Sequence, residues 1–262
     1  MTDSKTGQDV ALARIGDCLR DGSTDLDLSG LDLDTLPGPL GDLTHLTALD
    51  LNHNQLTALP ESLGNLTGLT WINLNWNRLT ALPGSMRNLT RLDQLGLASN
   101  QLTALPEWLG DLTALTWINL GANQLTALPE STGNLTALSR ITLYDNRFTA
   151  FPGPLENLTA LSRIELDGNG LAALPEWLGD LTALTWLDLN DNRLTALPES
   201  LGNLTKLGGL GLGGNELTTL PESMANLPLT KLNLSQNRFT TLPGWLGGHP
   251  VSEGDYIYFN II

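Results

Sequence analysis

Residues 107–131 read EWLGDLTALTWINLGANQLTALPES, and almost the same string returns at 176–200 as EWLGDLTALTWLDLNDNRLTALPES. Within each copy, Trp117-Ile118-Asn119-Leu120 and Trp186-Leu187-Asp188-Leu189 place an aliphatic residue at every second position over a stretch too short for anything but a strand. The aliphatic residues point inward, and the residues between them face the other way. Asn123 and Asn192 come next, where the chain must turn, and their amides can both donate to and accept from backbone groups inside a tight coil. LTALPE then sets a proline ahead of a short ExLGN segment with an acidic residue near its start, which reads as the first position of a short helix or 3₁₀ turn.

On either side of these strings, asparagine recurs every 23 residues from Asn54 to Asn215 and then at Asn237, and Leu-Pro keeps the same step, with Phe151-Pro152 filling one slot. A strand, a helical return and a parallel strand in fixed repeat predict stacked coils of right-handed sense, joined in one parallel sheet and lined by an asparagine ladder. The end coils need covers. Val10–Arg20 is expected to be a cap helix that buries Val10, Leu12, Ile15, Cys18 and Leu19. At the other end GGHPVSEGD breaks the period, and YIYFNII is expected to close the sheet with Ile257 and Phe259 inward. The reading is one domain, 1–262, with a cap over 1–22, repeats over 23–248 and a capping strand over 249–262, giving eleven strands.

Composition narrows the function classes. Hydrophobic residues make 41% of the chain but aromatic residues only 5%, so the core rests on leucine, as suits thin stacked layers. A net charge of −15 with 13 scattered Lys and Arg repels phosphate backbones and anionic head groups, so neither nucleic acid nor membrane is expected as a partner. Cys18 stands alone, which favours a reducing compartment. No leader-like or membrane-spanning apolar run occurs, and a cytoplasmic location is expected.

No catalytic pattern emerges from the residue types. His45 falls on a return, His53 on the sheet face and His249 in the C-terminal interruption, so no histidine pair forms for a metal or a triad. Asp145, Asp167, Asp188 and Asp191 resemble a row of solvated carboxylates more than the six to eight converging oxygens of a calcium site. Cys18 reads as a buried structural thiol. No cofactor, metal or catalytic residue is expected.

The outward sheet face carries the functional candidates, because its residues are free of core duty and still vary. With strands about 4.8 Å apart, Trp117, Arg140, Arg163 and Trp186 are expected to form one row about 14 Å long. Trp71, Trp76, Tyr144, Glu165 and Asp188 complete the candidate partner-binding set, since tryptophan, tyrosine and arginine are the usual anchors of interfaces. Two other readings stay open. The arginines can pair with Glu165, Asp167 and Asp145 under stacked tryptophans and merely cover a polar face, or the near-identity of the two long strings reflects duplication without selection for binding. Gly209, Gly211, Gly213 and Gly214 are expected to let a partner's backbone approach closely. Trp108, Trp177 and Trp245 belong to returns and are expected to pack there.

The string LxxLxLxxNxLTxLP at a 23-residue step resembles the leucine-rich-repeat family over residues 23–248, and most closely its intracellular class of bacterial repeat proteins, plant Ras-group repeat proteins and Roco-type repeat domains. ALARIGDCLRDGSTDLDLSGLDLDTLP also looks like the cap of bacterial members. The resemblance implies an α/β horseshoe with a parallel sheet on its concave face, helical or 3₁₀ returns on its convex face, and a protein partner held on the sheet. The function expected from it is that of a non-catalytic adaptor or recognition module. The alternative is a regulatory repeat domain of a larger signalling enzyme, although no GxxxxGK[ST] phosphate loop is present in this chain. The apolar final strand leaves an unguarded edge, for which a homodimer through that strand is the weaker of two covers and a downstream segment the other.

Overall fold

A computed structural model describes residues 6–241, 243–248 and 256–258. The chain falls into two compact units, Met1–Leu125 with Pro129–Leu138, and Thr126–Leu128 with Ser139–Ile262.

The first unit opens with α1 (Gly7–Asp21), whose start is fixed by a capping box: Asp9 N–H donates to Thr6 Oγ1 at 3.2 Å and Thr6 N–H donates to Asp9 Oδ2 at 3.0 Å. Gly22, at φ 72°, ends it in the left-handed region. The buried stripe of α1 is Ala11, Ile15 and Cys18, spaced i, i+4 and i+7. Leu12 and Leu19, expected to be buried, are each 47% exposed, because they stand beside that narrow stripe rather than on it. Strands β1 (Asp25–Asp27), β2 (Ala48–Asp50), β3 (Trp71–Asn73), β4 (Gln94–Gly96) and β5 (Trp117–Asn119) then pair in parallel in chain order, each residue facing its counterpart one repeat away, as in Ala48 with Trp71 and Gln94 with Trp117.

The second unit repeats the plan with β6 (Arg140–Thr142), β7 (Arg163–Glu165), β8 (Trp186–Asp188), β9 (Gly209–Gly211), β10 (Lys231–Asn233) and β11 (Tyr256–Tyr258), again parallel and in order. The closing strand therefore begins as expected, while His249–Asp255, Phe259, Ile261 and Ile262 lie outside the described residues. In β1 to β10 the middle residue of each strand and the leucine two places on are buried, as Ile118 with Leu120 and Leu187 with Leu189 show.

The asparagines do the work their chemistry permits. Asn123 Nδ2 donates to the carbonyls of Leu97, Leu120 and Gly121 at 2.9, 3.1 and 3.2 Å, and its Oδ1 accepts Leu102 N–H at 3.0 Å. Asn192 makes the same set to Leu166, Leu189, Asn190 and Leu171. One side chain thus satisfies four buried backbone groups, two of them in the preceding coil.

Immediately before each asparagine the backbone enters the left-handed region: φ is 54° at His53, 57° at Trp76, 55° at Ser99 and 51° at Ala122 in the first unit, and 49° at Asp145 and 53° at Asp191 in the second. Gly168 and Gly214 take the same position with no steric penalty. The turn is therefore set by the buried asparagine, and a bulky residue such as Trp76 holds it against its own preference, at about 1–2 kcal/mol.

The returns are 3₁₀ turns, such as Glu107–Asp111 and Glu176–Asp180. In these two turns proline occupies the cap position rather than the first helical residue, and its carbonyl accepts from the residue three places on, as in Leu109 N–H to Pro106 O at 3.0 Å. Successive returns approach so closely that a methyl group on Gly64, Gly110, Gly179 or Gly202 would run into Ser85, Ser131, Ser200 or Ser223 of the next. Where the next return carries Trp108, Trp177 or Trp245 in the serine position, the glycine is replaced by Arg87, Glu156 or Ala225. Trp177 packs there edge-on against Phe151, with ring centroids 5.5 Å apart.

Two stability measurements check this account. Asn123→Ala strands several buried backbone groups and is expected to lower stability by about 1–3 kcal/mol in thermal melts, with Asn123→Leu no better because a larger apolar group restores none of the hydrogen bonds. Ala122→Gly, in contrast, relieves a left-handed residue and is expected to raise the melting temperature; a fall would show that the turn is not strained.

Candidate partner-binding face

Strand register decides which outward side chains become neighbours. In the first unit Trp71 on β3 and Trp117 on β5 are half-buried against the sheet. Trp76 sits in the left-handed turn after β3, is 57% exposed, and stacks on His53 with centroids 5.4 Å apart and planes 17° from parallel. Beyond Trp76 come the small residues Gly96, the last of β4, and Ala98, and Asn75 leans over them, its Oδ1 accepting Ala98 N–H at 2.6 Å.

In the second unit Glu165 is the hub. It accepts from Arg163 Nε at 2.6 Å, Arg140 Nη2 at 3.3 Å and Thr142 Oγ1 at 2.7 Å. Burial pushes its carboxyl up, but the hydrogen bonds from Thr142 and Arg163 and the charges of both arginines outweigh that and hold it below the ordinary range. The Arg163 guanidinium lies 4.7 Å from the Trp186 ring centroid and Lys231 Nζ lies 5.7 Å from it. Trp186 is thus held by two cations, and it lies flat across β9 because Gly209 offers no side chain to lift it.

Beside this cationic row runs an anionic band. Asp188 Oδ1 accepts Asn190 N–H and Nδ2 at 3.1 and 2.5 Å, and Asn190 Oδ1 accepts Gly213 N–H and Asn233 Nδ2 at 2.7 and 3.0 Å, so the network reaches from β8 to β10 across the glycine strand. Burial, and then the charge of Glu165, push Asp188 up against its hydrogen bonds. Asp167 is pushed up to about 6 by burial first, and by the neighbouring charges of Asp188, Asp145 and Glu165. A cavity of about 240 Å³ opens between Trp186, Asp188, Asn190, Gly211, Lys231 and Asn233.

Of the candidates read from the sequence, Arg140, Arg163, Glu165, Trp186 and Asp188 are brought together in the second unit, with Tyr144 half-buried just past β6. Trp71, Trp76 and Trp117 belong to the first. Both arginines pair with Glu165, and Arg163 also stacks on Trp186, the geometry foreseen for a face that covers its own polar groups. The glycines act differently from the expectation. The space above Gly209, Gly211, Gly213 and Gly214 is filled by Trp186, Asp188, Asn190, Asn233 and Asp191, so the strand is a bed for neighbouring side chains rather than an open approach. Lys231 was not among the binding candidates, although it shares a column with Arg140, Arg163 and Trp186, and Asp167, read from the sequence as a solvated carboxylate or a partner of the arginines, is instead half-buried among other acids.

Cys18 Sγ donates to Ser23 O at 3.0 Å and lies 3.8 Å from His45 Nε2, a contact the sequence spacing concealed. Burial, with the charge of Asp21, pushes the thiol up, which is opposite to what a nucleophile needs. Among the described residues no group of three or more His, Cys, Asp or Glu side chains is placed to hold a metal, and no helix is long and apolar enough to cross a membrane.

The comparisons with known proteins agree with this architecture. Family models described as leucine-rich repeat region and leucine rich repeat match residues 94–247 and 24–79. No curated protein sequence matches the chain. Among solved structures, the leucine-rich-repeat protein LIC12759 of Leptospira interrogans superposes with a TM-score of 0.83 at 29% identity, over 94% of this chain and 70% of that one. YopM, a leucine-rich effector protein from Yersinia pestis, gives 0.74 at 33% identity over 92% and 63%. The ectodomain of the receptor kinase GASSHO1/SCHENGEN3 from Arabidopsis thaliana, solved in complex with CASPARIAN STRIP INTEGRITY FACTOR 2, gives 0.74 at 34% identity over 90% and 29%. Two family models in phase with the observed coils, the first alone spanning more than half of the sequence, place the chain in the leucine-rich-repeat family.

Proposed function

We propose that the chain is a non-catalytic recognition module that holds a protein partner against the outward face of its strands, through Trp71, Trp76 and Trp117 in one unit and Arg140, Tyr144, Arg163, Glu165, Trp186 and Asp188 in the other. The observation that carries this reading is Trp186, laid flat and held between Arg163 and Lys231. A large aromatic plate fixed before binding loses little side-chain freedom when a partner docks, which is how such residues become anchors. The core is leucine and does not need it. The family is typically protein-binding, and the plant neighbour was solved with another factor bound. An adaptor in a reducing compartment suits the single free thiol, Cys18.

Asp167 supports the same reading from the side of stability. A half-buried carboxylate among three other acids destabilises the fold once ionised, a burden that a residue serving only the fold would not carry. Its folded pKa lies above the unfolded value near 3.9, so the penalty is absent below about pH 4, develops as pH rises, and is complete above about pH 6.

Affinity capture with the whole chain, followed by titration of the captured partner, tests the proposal. Trp186→Ala is expected to weaken binding by about 2 kcal/mol or more, and Glu176→Lys, on a return, to leave it unchanged. A partner sensitive to Glu176 and indifferent to Trp186 would place the interface on the returns and end this assignment. Thermal melts supply the second check: Asp167→Asn is expected to stabilise the chain at pH 7 and to match wild type near pH 4. Lower stability at pH 7 would mean that Asp167 serves the fold.

A further inference from the structure

The sheet face of the second unit carries charge of opposite sign in two lines that both run across the strands. Arg140, Arg163 and Lys231 occupy the first outward position of β6, β7 and β10, with Trp186 of β8 in the same line. Asp188, Asp167, Asp145 and Asp191 stand at the ends of β6 to β8 or just beyond them, so cations line the strand starts and carboxylates the strand ends. Asp167 lies two residues past the end of β7 and four past Arg163, about 13 Å for extended chain. Arg140 and Arg163 stand on neighbouring strands, Lys231 stands three strands beyond Arg163, and the carboxylates recur at or just past the ends of β6, β7 and β8, so a partner that satisfies both lines must present acidic and basic groups on its two flanks, in step with a strand spacing of about 4.8 Å.

Backbone geometry discriminates between candidates. An α-helix laid across the strands advances about 5.4 Å per turn and is 10–12 Å wide with its side chains, so each turn offers one residue per flank and drifts only about 0.6 Å per strand. An extended segment repeats a face every two residues, about 6.7 Å, and falls out of step by nearly 2 Å at each strand. The geometry points to an α-helix of a partner protein as the occupant, lying across β6–β10 with an acidic flank over Arg140, Arg163 and Lys231, a basic flank over the aspartates, and its underside on Trp186. This rests on the reading of the face as a protein-binding surface and specifies what it binds. The salt bridges of Arg140 and Arg163 run to Glu165, and Asp167 is pushed up by burial and then by the charges of Asp188, Asp145 and Glu165, so a basic flank would meet an uncompensated carboxylate there.

Calorimetry with the full chain and three synthetic peptides of equal length and equal numbers of Glu and Lys, each about 20 residues long, provides the test. The first is an alanine-based helix with Glu along one flank and Lys along the other, the second mixes Glu and Lys on both flanks, and the third is interrupted by proline and cannot be helical. The segregated helix is expected to bind about tenfold tighter than either of the others. That preference is expected to vanish in Asp167→Lys and in Arg140→Glu with Arg163→Glu, each checked for folding by circular dichroism. Should the double variant not fold, Arg140→Glu alone replaces it. Equal binding of the segregated and mixed helices, equal binding of the proline peptide, or a preference that survives both charge reversals overturns the helix. Any of these results combined with partner capture that still depends on Trp186 leaves the protein-binding face standing, whereas capture indifferent to Trp186 removes the face itself.

Discussion

Each coil of this chain must bury a turn, and burying a turn means finding partners for backbone groups that no sheet or helix supplies. The ladder asparagines answer that constraint. Asn123 ties its own strand end to the previous coil through two hydrogen bonds on each side, so the thin leucine layer can close over it without stranding a donor or acceptor. The rest of the coil depends on this clasp: the residue before it is driven into the left-handed region, the strand ahead of it is limited to three residues, and the chain leaves toward the return in one direction only.

Freeing the outward face from core duty is the functional outcome of that economy. Because leucine and isoleucine dominate the interior, aromatic and charged side chains on the strands are at liberty to organise among themselves. In the second unit they do so with opposite results on two sides of one strand face. Around Glu165 the charges compensate, and around Asp167 they do not. An excess of like charge kept half-buried stores free energy that an arriving cation would release, while Arg163, compensated by Glu165, and Lys231 hold Trp186 against the sheet.

Much of the fold was legible because the repeat obeys rules that act within a few residues. Alternation marked the strands, and the donor and acceptor inventory of asparagine marked the ladder. Failures came where a neighbour one coil away decides the outcome. Leu12 and Leu19 were read as core from their chemistry, yet the width of the surface they face admits only Ala11, Ile15 and Cys18. The glycines of β9 and the turn after it were read as open floor, yet Trp186, Asp188 and Asn190 lean over Gly209 and Gly211, and Asn233 over Gly213. Pairing of both arginines with Glu165 was among the alternatives on the sequence, but choosing Glu165 over Asp167 required the register of β6 and β7 and the depth of each carboxylate.

The close approach of glycine to serine between returns also constrains how such a chain can change its length. Gly64 meets Ser85, Gly110 meets Ser131 and Gly179 meets Ser200, while Arg87, Glu156 and Ala225 precede the returns that carry Trp108, Trp177 and Trp245. Tryptophan therefore falls on every third return, and the residue ahead of it is cut to match. Inserting or losing a single coil can set Arg87 or Glu156 against a serine return that has room only for hydrogen, whereas exchange of three coils preserves every junction. Residues 107–131 and 176–200, three coils apart and nearly identical, have the spacing that such a three-coil exchange requires.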